Sequence, residues 1–364
     1  MIPEMPLKKS ALHAASATVA LQEAPLEASA PCRVDSGGTW DIKALSLPLA
    51  AVLPVTVNVA LDLRTRVRLL PCEEGWVRIS SKGFGSGGRA FRFEELPFGP
   101  PFGLFFAAVA RFGFSGLEIH IESGSPVRSA LGGSSTALTA LIRALSLLRE
   151  RLGGKKMPPR EILALGYQLE DGISGGFCGM QDQAAAVYGG VHLWHWQYGR
   201  PGPPYARERL LDAGGCRELT QRMLVAHSGL EHDSGSVNRG WVLDFLSCKT
   251  REGWVEANRV VRDFAEALKN RNWKGAASAM KREMAVRRKI TPGALVPETR
   301  ELIYAAEEAG CGARFTGAGA GGAVWALGPL DHIQDLRRGW EKILSPFPGG
   351  GILDCQVDTK GVLP

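Results

Sequence analysis

Residues 126–138 read Pro-Val-Arg-Ser-Ala-Leu-Gly-Gly-Ser-Ser-Thr-Ala-Leu and join a glycine-rich turn to a periodic apolar segment. Leucine or isoleucine recurs at positions 138, 141, 142, 145 and 148, and this spacing predicts a helix. Ser134 or Ser135 is expected to cap the helix, because a hydroxyl there can accept from unpaired first-turn N–H groups. A glycine turn that delivers a helix N-terminus can bind an anion, and a nucleotide phosphate is the natural ligand. An ordinary loop and cap is the alternative.

The composition is typical of a soluble globular protein. The chain has 364 residues, of which 45% are hydrophobic and 22% charged, and this length favours two domains. The net charge of +6 is mild and the basic residues are scattered, so nucleic acid is not an expected partner. No apolar run reaches membrane-spanning length, so no membrane contact is expected. The seven cysteines include no C-x-x-C pair, which argues against disulfides or zinc and predicts a cytoplasmic protein.

A second segment, residues 170–183, places two carboxylates on either side of a glycine-rich connector and reads Glu-Asp-Gly-Ile-Ser-Gly-Gly-Phe-Cys-Gly-Met-Gln-Asp-Gln. One of Glu170 and Asp182 could hold Mg²⁺ while the other accepts the proton of a substrate hydroxyl. Phosphoryl transfer needs both functions, because polyphosphate charge must be neutralised and the attacking hydroxyl must be oriented. A surface loop with acidic residues is the alternative.

A third segment, residues 33–41, reads Arg-Val-Asp-Ser-Gly-Gly-Thr-Trp-Asp. Arg33 could stabilise an anionic Asp182 or the transferred phosphate charge. Asp41 could accept hydrogen bonds from sugar hydroxyls. A hairpin turn with a salt bridge is the alternative.

Residues 315–322, Phe-Thr-Gly-Ala-Gly-Ala-Gly-Gly, match the pattern G-x-G-x-x-G. A dinucleotide site is not favoured, because that fingerprint opens a helix, whereas a strand at residues 323–327 is expected to follow here. The preferred interpretation is a glycine turn that lets the backbone approach a ligand or another loop.

Taken in chain order, residues 33–41, 126–136 and 316–322 resemble the three motifs of the GHMP kinase superfamily. Residues 178–183, Cys-Gly-Met-Gln-Asp-Gln, and Tyr-Gly-Gly at 188–190 resemble its sugar-kinase branch. The closest resemblance is to D-glycero-D-manno-heptose 7-phosphate kinases and fucokinases. It implies an α+β, two-domain fold, with a left-handed βαβ crossover in the N-terminal domain and a ferredoxin-like C-terminal domain.

The resemblance also implies residue roles. Asp182 would be the base or the electrostatic anchor for the attacking hydroxyl. Arg33 would orient the Asp182 carboxylate and steer the moving charge. Asp182 and Arg33 are therefore the expected catalytic residues. Magnesium would be held by Glu170 with Ser134 or Ser135. The residues expected to bind ATP are Ala130, Leu131, Gly132, Gly133, Ser134, Ser135 and Thr136. The residues expected to bind the acceptor are Asp41, Gly37, Gly38, Gly179, Gln181, Gly317 and Gly319.

Three parts of the chain are expected: a variable N-terminal extension at 1–29, an ATP-binding domain at 30–204 and a C-terminal domain at 205–364. The implied reaction transfers the γ-phosphoryl group of ATP, with Mg²⁺, to a hydroxyl of a sugar or sugar phosphate. The anomeric hydroxyl of a heptose 7-phosphate or a related sugar is the expected acceptor. A kinase for a non-sugar alcohol and a non-catalytic, galactokinase-like sensor of ATP and sugar are the alternatives. A homodimer is left open.

Overall fold

The computed structural model describes residues 14–82, 88–230 and 234–364, and of residues 234–236 it describes the backbone alone. These residues form one sheet of seven strands, one sheet of four strands and a short parallel pair. Helices pack on both sheets, so the α+β, two-domain fold expected from the sequence is confirmed.

The strands are, in chain order, β1 (Ala15–Ser16), β2 (Leu26–Asp35), β3 (Val55–Pro71), β4 (Trp76–Ser81), β5 (Arg89–Arg92), β6 (Phe114–Ser115), β7 (Leu117–Ser123), β8 (Val191–Trp196), β9 (Tyr205–Arg209), β10 (Met223–His227), β11 (Gly312–Phe315), β12 (Ala323–Leu327) and β13 (Gly351–Leu353). The helices are α1 (Thr18–Glu23), α2 (Lys43–Ser46), α3 (Gly103–Phe112), α4 (Gly133–Arg151), α5 (Pro159–Ile173), α6 (Gln181–Tyr188), α7 (Ala213–Gln221), α8 (Ser234–Leu246), α9 (Arg251–Lys269), α10 (Trp273–Ile290), α11 (Pro297–Glu308) and α12 (Leu330–Leu344). Short 3₁₀ turns lie at Ala50–Val52, Phe93–Glu95 and Pro292–Ala294.

The seven-stranded sheet is built around β3, whose 17 residues pair on both sides. β2 runs antiparallel along one side, while β8 pairs with residues 55–59 and β7 with residues 65–71 on the other. β4 runs parallel to β7, and the chain crosses between them through β5 and α3. The left-handed sense expected for this crossover stays a prediction.

The helix predicted from the leucine spacing is α4, and the five residues of its predicted apolar stripe are fully buried. The predicted serine cap is wrong. Gly132 occupies the N-cap position with φ of +79°, and Ser134 and Ser135 lie inside the first turn. No described side chain caps this helix, because the two serine hydroxyls bond a carboxylate of another helix instead.

The four-stranded sheet has the order β11-β12-β10-β13, and all neighbours are antiparallel. Along the chain, β10 is followed by helices α8 to α11, then by β11, β12, α12 and β13. This βαββαβ order, with the first and third strands in the centre, is the ferredoxin-like arrangement expected for the C-terminal domain.

The two sheets meet across a shared hydrophobic core. Its most buried members include Val57 and Val191 of the first sheet, Val225 and Trp325 of the second, and Phe264 of α9, each at most 1% exposed. The end of β2 also contacts the turn between β11 and β12, because the N–H of Gly317 donates to Asp35 Oδ1 at 2.8 Å.

The sheet pairing bears on the predicted domain limits. β9 pairs with β8, so the first sheet continues past the predicted boundary at residues 204–205, and we propose a boundary after Arg209. The C-terminal segment returns to the first domain, where Leu61 bridges to Val357 and Ser29 to Leu363. Within the predicted extension, the described residues from 14 onward include α1, which packs against β3. No helix of the described ranges is both long and apolar enough to cross a membrane.

Candidate active site

A cleft of about 320 Å³ lies beside the N-terminus of α4. All four segments singled out in the sequence, at 33–41, 126–136, 170–183 and 315–322, contribute residues to its walls. The second domain contributes Gly317 and Ala318 of the β11–β12 turn, and Asn238 of α8. The cleft therefore lies between the two domains.

A buried arginine and a partly exposed aspartate form a charged pair in the cleft. Arg33 Nε and Nη2 lie 2.8 and 2.7 Å from Asp182 Oδ1. Arg33 Nη1 donates to the carbonyl of Ala130 at 2.8 Å. The arginine side chain is 4% exposed and the aspartate 24%, so the carboxylate remains open to a ligand while the arginine fixes it. The pairing of Arg33 with Asp182 predicted from the sequence is thus present.

The start of α4 approaches Asp182 closely at Gly132. A Cβ atom at position 132 would lie 3.0 Å from Asp182 Oδ2, and the φ of +79° at Gly132 disfavours other residues. The preceding residue is tied to β2, because Arg33 N–H donates to the carbonyl of Leu131 at 3.1 Å. The glycine turn, the arginine and the aspartate therefore hold one another in place.

The second predicted carboxylate also lies at the first turn of α4. Ser134 Oγ donates to Glu170 Oε1 at 3.0 Å and Ser135 Oγ donates to Oε2 at 2.7 Å. Gln183 Nε2 donates to Oε2 at 2.6 Å. Burial raises the pKa of the Glu170 carboxyl, although the serine hydroxyls and the Gln183 amide favour the ionised form.

The oxygen atoms of Glu170, Ser134 and Ser135 fit the coordination of a magnesium ion that is bound together with a polyphosphate. Mg²⁺ prefers hard oxygen ligands and is usually held by one or two carboxylates plus phosphate oxygens and water. The three side chains bonded to Glu170 are neutral, so none of them offsets its negative charge. Across the described ranges, no group of three or more His, Cys, Asp or Glu could hold a metal by itself.

Asp41, Gly179 and Gln181 form a part of the cleft that we call the acceptor corner. Asp41 Oδ2 accepts from the Gln181 backbone N–H at 3.1 Å, and Oδ1 lies 3.4 Å from Gln181 Nε2. Burial raises the pKa of Asp41 to about 7, and Asp182 adds to this rise while the Gln181 amide opposes it. Only a glycine fits at 179, because a Cβ there would lie 1.7 Å from Asp41 Oδ2.

A buried ion cluster supports this region from the second domain. Arg314 Nη1 lies 2.5 Å from Asp35 Oδ2, and Arg314 Nε lies 3.2 Å from Glu283 Oε2. The N–H of Gly317 donates to Asp35 Oδ1 at 2.8 Å. Burial alone would raise the pKa of Asp35, but Arg314 and Arg33 hold it below its ordinary value. The cluster therefore ties the end of β2 to the β11–β12 turn.

The structure brings most of the predicted site residues together. Those that line the cleft are Arg33, Asp41, Ala130, Gly132, Gly133, Ser134, Ser135, Glu170, Gly179, Gln181, Asp182 and Gly317. Those outside the lining are Gly37, Gly38, Leu131, Thr136 and Gly319. The latter support the turns from inside: Leu131 is fully buried, and the hydroxyl of Thr136 donates to the Gly132 carbonyl at 2.8 Å.

Sequence reasoning missed several residues that line the cleft. The missed lining residues include Thr65, Lys82, Phe102, Phe105, Ile121 and Asn238. The phenylalanines fit the pattern of an ordinary core helix, and the alternation of the strands predicts only which face a residue occupies. Asn238 lies on α8, far along the chain from the other lining residues, and no local pattern marks it.

Comparison with known proteins agrees with this geometry. A family model described as the GHMP kinases N terminal domain matches residues 103–190, and one described as GHMP kinases C terminal matches residues 264–345. The fold and these matches define an ATP-dependent phosphotransferase with an alcohol group as acceptor. The chain thus matches both the N-terminal and the C-terminal family models of the GHMP kinases, in that order.

Relatives within the superfamily act on different acceptors. The mevalonate kinase of Thermococcus sibiricus is 24% identical over 293 residues, which are 75% of this chain and 82% of that enzyme. The galactokinase of Lactococcus lactis, solved with galactose, matches with a TM-score of 0.74 at 16% identity, over 95% of this chain and 98% of that one. A D-glycero-D-manno-heptose 1-phosphate kinase from Bacteroides thetaiotaomicron matches with a TM-score of 0.67 at 15% identity, over 93% and 97%. These similarities do not single out the heptose kinase or fucokinase branch.

Proposed function

We propose that the protein transfers the γ-phosphoryl group of ATP to a sugar hydroxyl, namely the anomeric hydroxyl of a D-glycero-D-manno-heptose 7-phosphate or a related sugar. The acceptor corner carries this proposal. Its side chains present oxygen atoms that accept hydrogen bonds, and a sugar supplies several hydroxyl donors. The resemblance of residues 33–41 and 178–190 to the heptose kinases supports the choice of sugar.

The polar atoms of the acceptor corner suit hydroxyl groups of an acceptor better than a carboxylate placed at the same point. Gln181 Oε1 is buried without a hydrogen-bond partner, and a buried acceptor of this kind is costly unless a ligand satisfies it. Asp41 adds a carboxyl group beside it. The nearby cation, Arg33, is already bonded to Asp182 and to a backbone carbonyl. A carboxylate at this corner would therefore face the acidic side chains of Asp41 and Asp182, and the Arg33 beside them is already paired.

We assign the chemical step to the pair of Arg33 and Asp182. The acceptor hydroxyl would give its proton to the Asp182 carboxylate, and its oxygen would form a bond to the γ-phosphorus. The bond from that phosphorus to the β–γ bridging oxygen would break, and ADP would leave. Arg33 would keep the carboxylate oriented and offset charge on the transferred group. The glycine turn and first-turn amides of α4 would bind the phosphates.

We assign magnesium to Glu170 with the hydroxyls of Ser134 and Ser135. The ion, when bound, would neutralise charge on the β- and γ-phosphates. Glu170 Oε1 and Oε2 already lie within hydrogen-bond distance of the two serines, so the three side chains converge. The phosphate chain would then lie between Glu170 and Asp182, at the start of α4.

The direct test is ADP release measured with a panel of acceptors. The panel contains D-glycero-D-manno-heptose 7-phosphate, fucose, galactose and mevalonate, each with MgATP. We expect the highest kcat/KM with a sugar, and ³¹P NMR of the product should show an anomeric phosphate. Preferred turnover of mevalonate would contradict the proposal.

Two other functions remain distinct outcomes of this panel. The similarity to the mevalonate kinase of Thermococcus sibiricus is the observation in support of a kinase for a non-sugar alcohol, which would turn over mevalonate in the panel. A sensor would bind ATP and a sugar, seen by calorimetry, yet release no ADP with any acceptor. The presence of Arg33, Glu170 and Asp182 in one cleft favours catalysis over sensing.

A further inference from the structure

Three aromatic side chains at alternate positions form a buried stack behind the acceptor corner. Trp194 and Trp196 lie on the same face of β8, and Tyr198, two residues beyond the strand, continues the stack of rings. The ring centroids of Trp194 and Trp196 are 6.0 Å apart at 13°, and those of Trp196 and Tyr198 are 6.4 Å apart at 15°. They are 0, 3 and 8% exposed, respectively. We call these three residues the aromatic ladder.

Two members of the ladder fix the turn that carries Asp41. The hydroxyl of Tyr198 donates directly to the Asp41 carbonyl at 2.7 Å. The indole N–H of Trp196 donates to Thr56 Oγ1 at 3.0 Å, and this hydroxyl donates in turn to the Gly38 carbonyl. Trp196, Tyr198 and Thr56 are buried, so water does not compete for these hydrogen bonds.

The third member fixes the other side of the acceptor corner. The indole N–H of Trp194 donates to Asn58 Oδ1 at 2.9 Å, and Asn58 Nδ2 donates to the Gln181 carbonyl at 3.0 Å. Asn58 lies two residues after Thr56 on β3, so the two relay side chains face the same way. Each rung of the ladder thus ends on a backbone carbonyl of a residue at or beside the acceptor corner.

We propose that Trp194, Trp196 and Tyr198 are positioning residues for the acceptor, a role that rests on the kinase function proposed above. They set the distance between the Asp41 backbone and the Gln181 backbone, and hence the gap that the acceptor hydroxyls must fit. None of the three lines the cleft, so they act through Asp41 and Gln181.

The tolerance of this arrangement is small, which explains why it would need such support. Asp41 already packs so closely that a Cβ at Gly179 would lie 1.7 Å from its Oδ2. A shift of either backbone by a few tenths of an ångström would weaken the bond from the Gln181 N–H to Asp41, since hydrogen bonds depend steeply on geometry. Binding of the acceptor should respond to such a shift, whereas ATP binding at α4 should not.

The first test is Tyr198→Phe, which removes one hydroxyl and keeps the ring. We expect the KM for the acceptor to rise roughly three- to tenfold, the range of one lost hydrogen bond, with the KM for ATP unchanged. Tyr205→Phe is the matched control, since its hydroxyl lies 2.9 Å from that of Tyr188 and bonds none of the ladder's carbonyls. It should alter neither constant. An unchanged acceptor KM in Tyr198→Phe would overturn the proposal.

The second test separates positioning from a purely structural role. Trp196→Phe removes a buried indole donor behind the corner, and Trp340→Phe removes one in the second domain that donates to the Leu302 carbonyl at 2.9 Å. Both variants should lose stability in urea. We expect only Trp196→Phe to raise the acceptor KM, and equal KM values in the two variants would contradict positioning.

A third measurement needs no acceptor. Hydrogen exchange by mass spectrometry should be faster in Tyr198→Phe than in the wild type over residues 36–43 and 177–183, and unchanged over 128–136. Unchanged exchange in the first two segments would refute the ladder. If the wild type phosphorylates none of the sugars, the proposed function fails by itself, and this measurement still tests whether the ladder holds these two segments in place.

Discussion

Replacement of the Asp41 carboxyl by an amide should change how stability depends on pH. The pKa of Asp41 rises from 3.8 to about 7 because of its burial. The folded state therefore holds this proton more tightly than the unfolded chain does. The favourable contribution to stability is complete below pH 3.8, and it is lost as the pH rises toward 7 and the unfolded chain ionises first. Asp41→Asn carries no such proton.

The size of the effect follows from the shift. At about 1.4 kcal/mol for each pH unit, the full change corresponds to roughly 4 kcal/mol of unfolding free energy. Between pH 5 and pH 8, the difference between Asp41→Asn and the wild type should move by roughly 2–3 kcal/mol in favour of the variant. The quantity to test is this change with pH. The absolute difference in stability also contains the loss of one of the two hydrogen bonds to Gln181, which is the same at every pH.

The assay is urea unfolding followed by tryptophan fluorescence at several pH values from 5 to 8. Asp331→Asn is the control for removal of a surface carboxylate, since the Asp331 side chain is 81% exposed. A stability difference between Asp41→Asn and the wild type that stays constant across this pH range would refute the reasoning. The same variant should bind the acceptor more weakly, although its stability relative to the wild type should rise between pH 5 and pH 8.

Three further variants test the rest of the site. Asp182→Asn should lower kcat by about 10²–10⁴-fold while calorimetry shows ATP binding preserved, because only the positioned base is lost. Glu170→Gln should raise the Mg²⁺ concentration needed for half-maximal activity, because a charged ligand becomes neutral. Arg314→Met should cost about 3–5 kcal/mol in urea unfolding, because it leaves the Asp35 and Glu283 carboxylates buried and unpaired.

Each of these has a matched control and a contrary outcome. Asp171→Asn is the control for Glu170→Gln. Asp171 is next to Glu170 in the chain but pairs with Lys43 at 2.8 Å, so its replacement should leave activity unchanged. Full activity in Asp182→Asn would remove it from the chemical step, and an unaltered Mg²⁺ requirement in Glu170→Gln would remove the assigned ligand. Arg64→Met breaks a less buried pair with Asp358, so it should cost less than Arg314→Met. The reverse order would contradict the assigned weight of the cluster.

Much of the site was predictable because its residues lie in short, self-contained segments. Helical spacing identified α4, and the glycine turn predicted before it lies at the start of this helix. The carboxylates Glu170 and Asp182 were predicted from residue type and from the flexible connector between them. The position of the cap was not, because Ser134 and Ser135 bond Glu170 of a different helix, and no local rule reports that competing partner.

Other parts of the prediction rested on resemblance. The ferredoxin-like order of the second sheet was expected only from the motifs, since hydrophobic periodicity shows where strands lie and not which strands are neighbours. The lining residues Thr65, Ile121 and Asn238 were not predicted for the same reason. The aromatic ladder on β8 reads locally as an ordinary buried strand, and its hydrogen-bond relays run through β3.

The amino-acid sequence by itself determined the local pieces: the glycine turn before α4, the strands with alternating faces, and the residue types able to bind phosphate and move a proton. Tertiary structure alone decided which of them meet. Arg314 of the second sheet reaches Asp35 of the first, and Tyr198, which lies beyond β8, reaches Asp41, which lies beyond β2. Local patterns are set by the backbone geometry of a few residues, whereas these contacts depend on how whole sheets pack around a shared core.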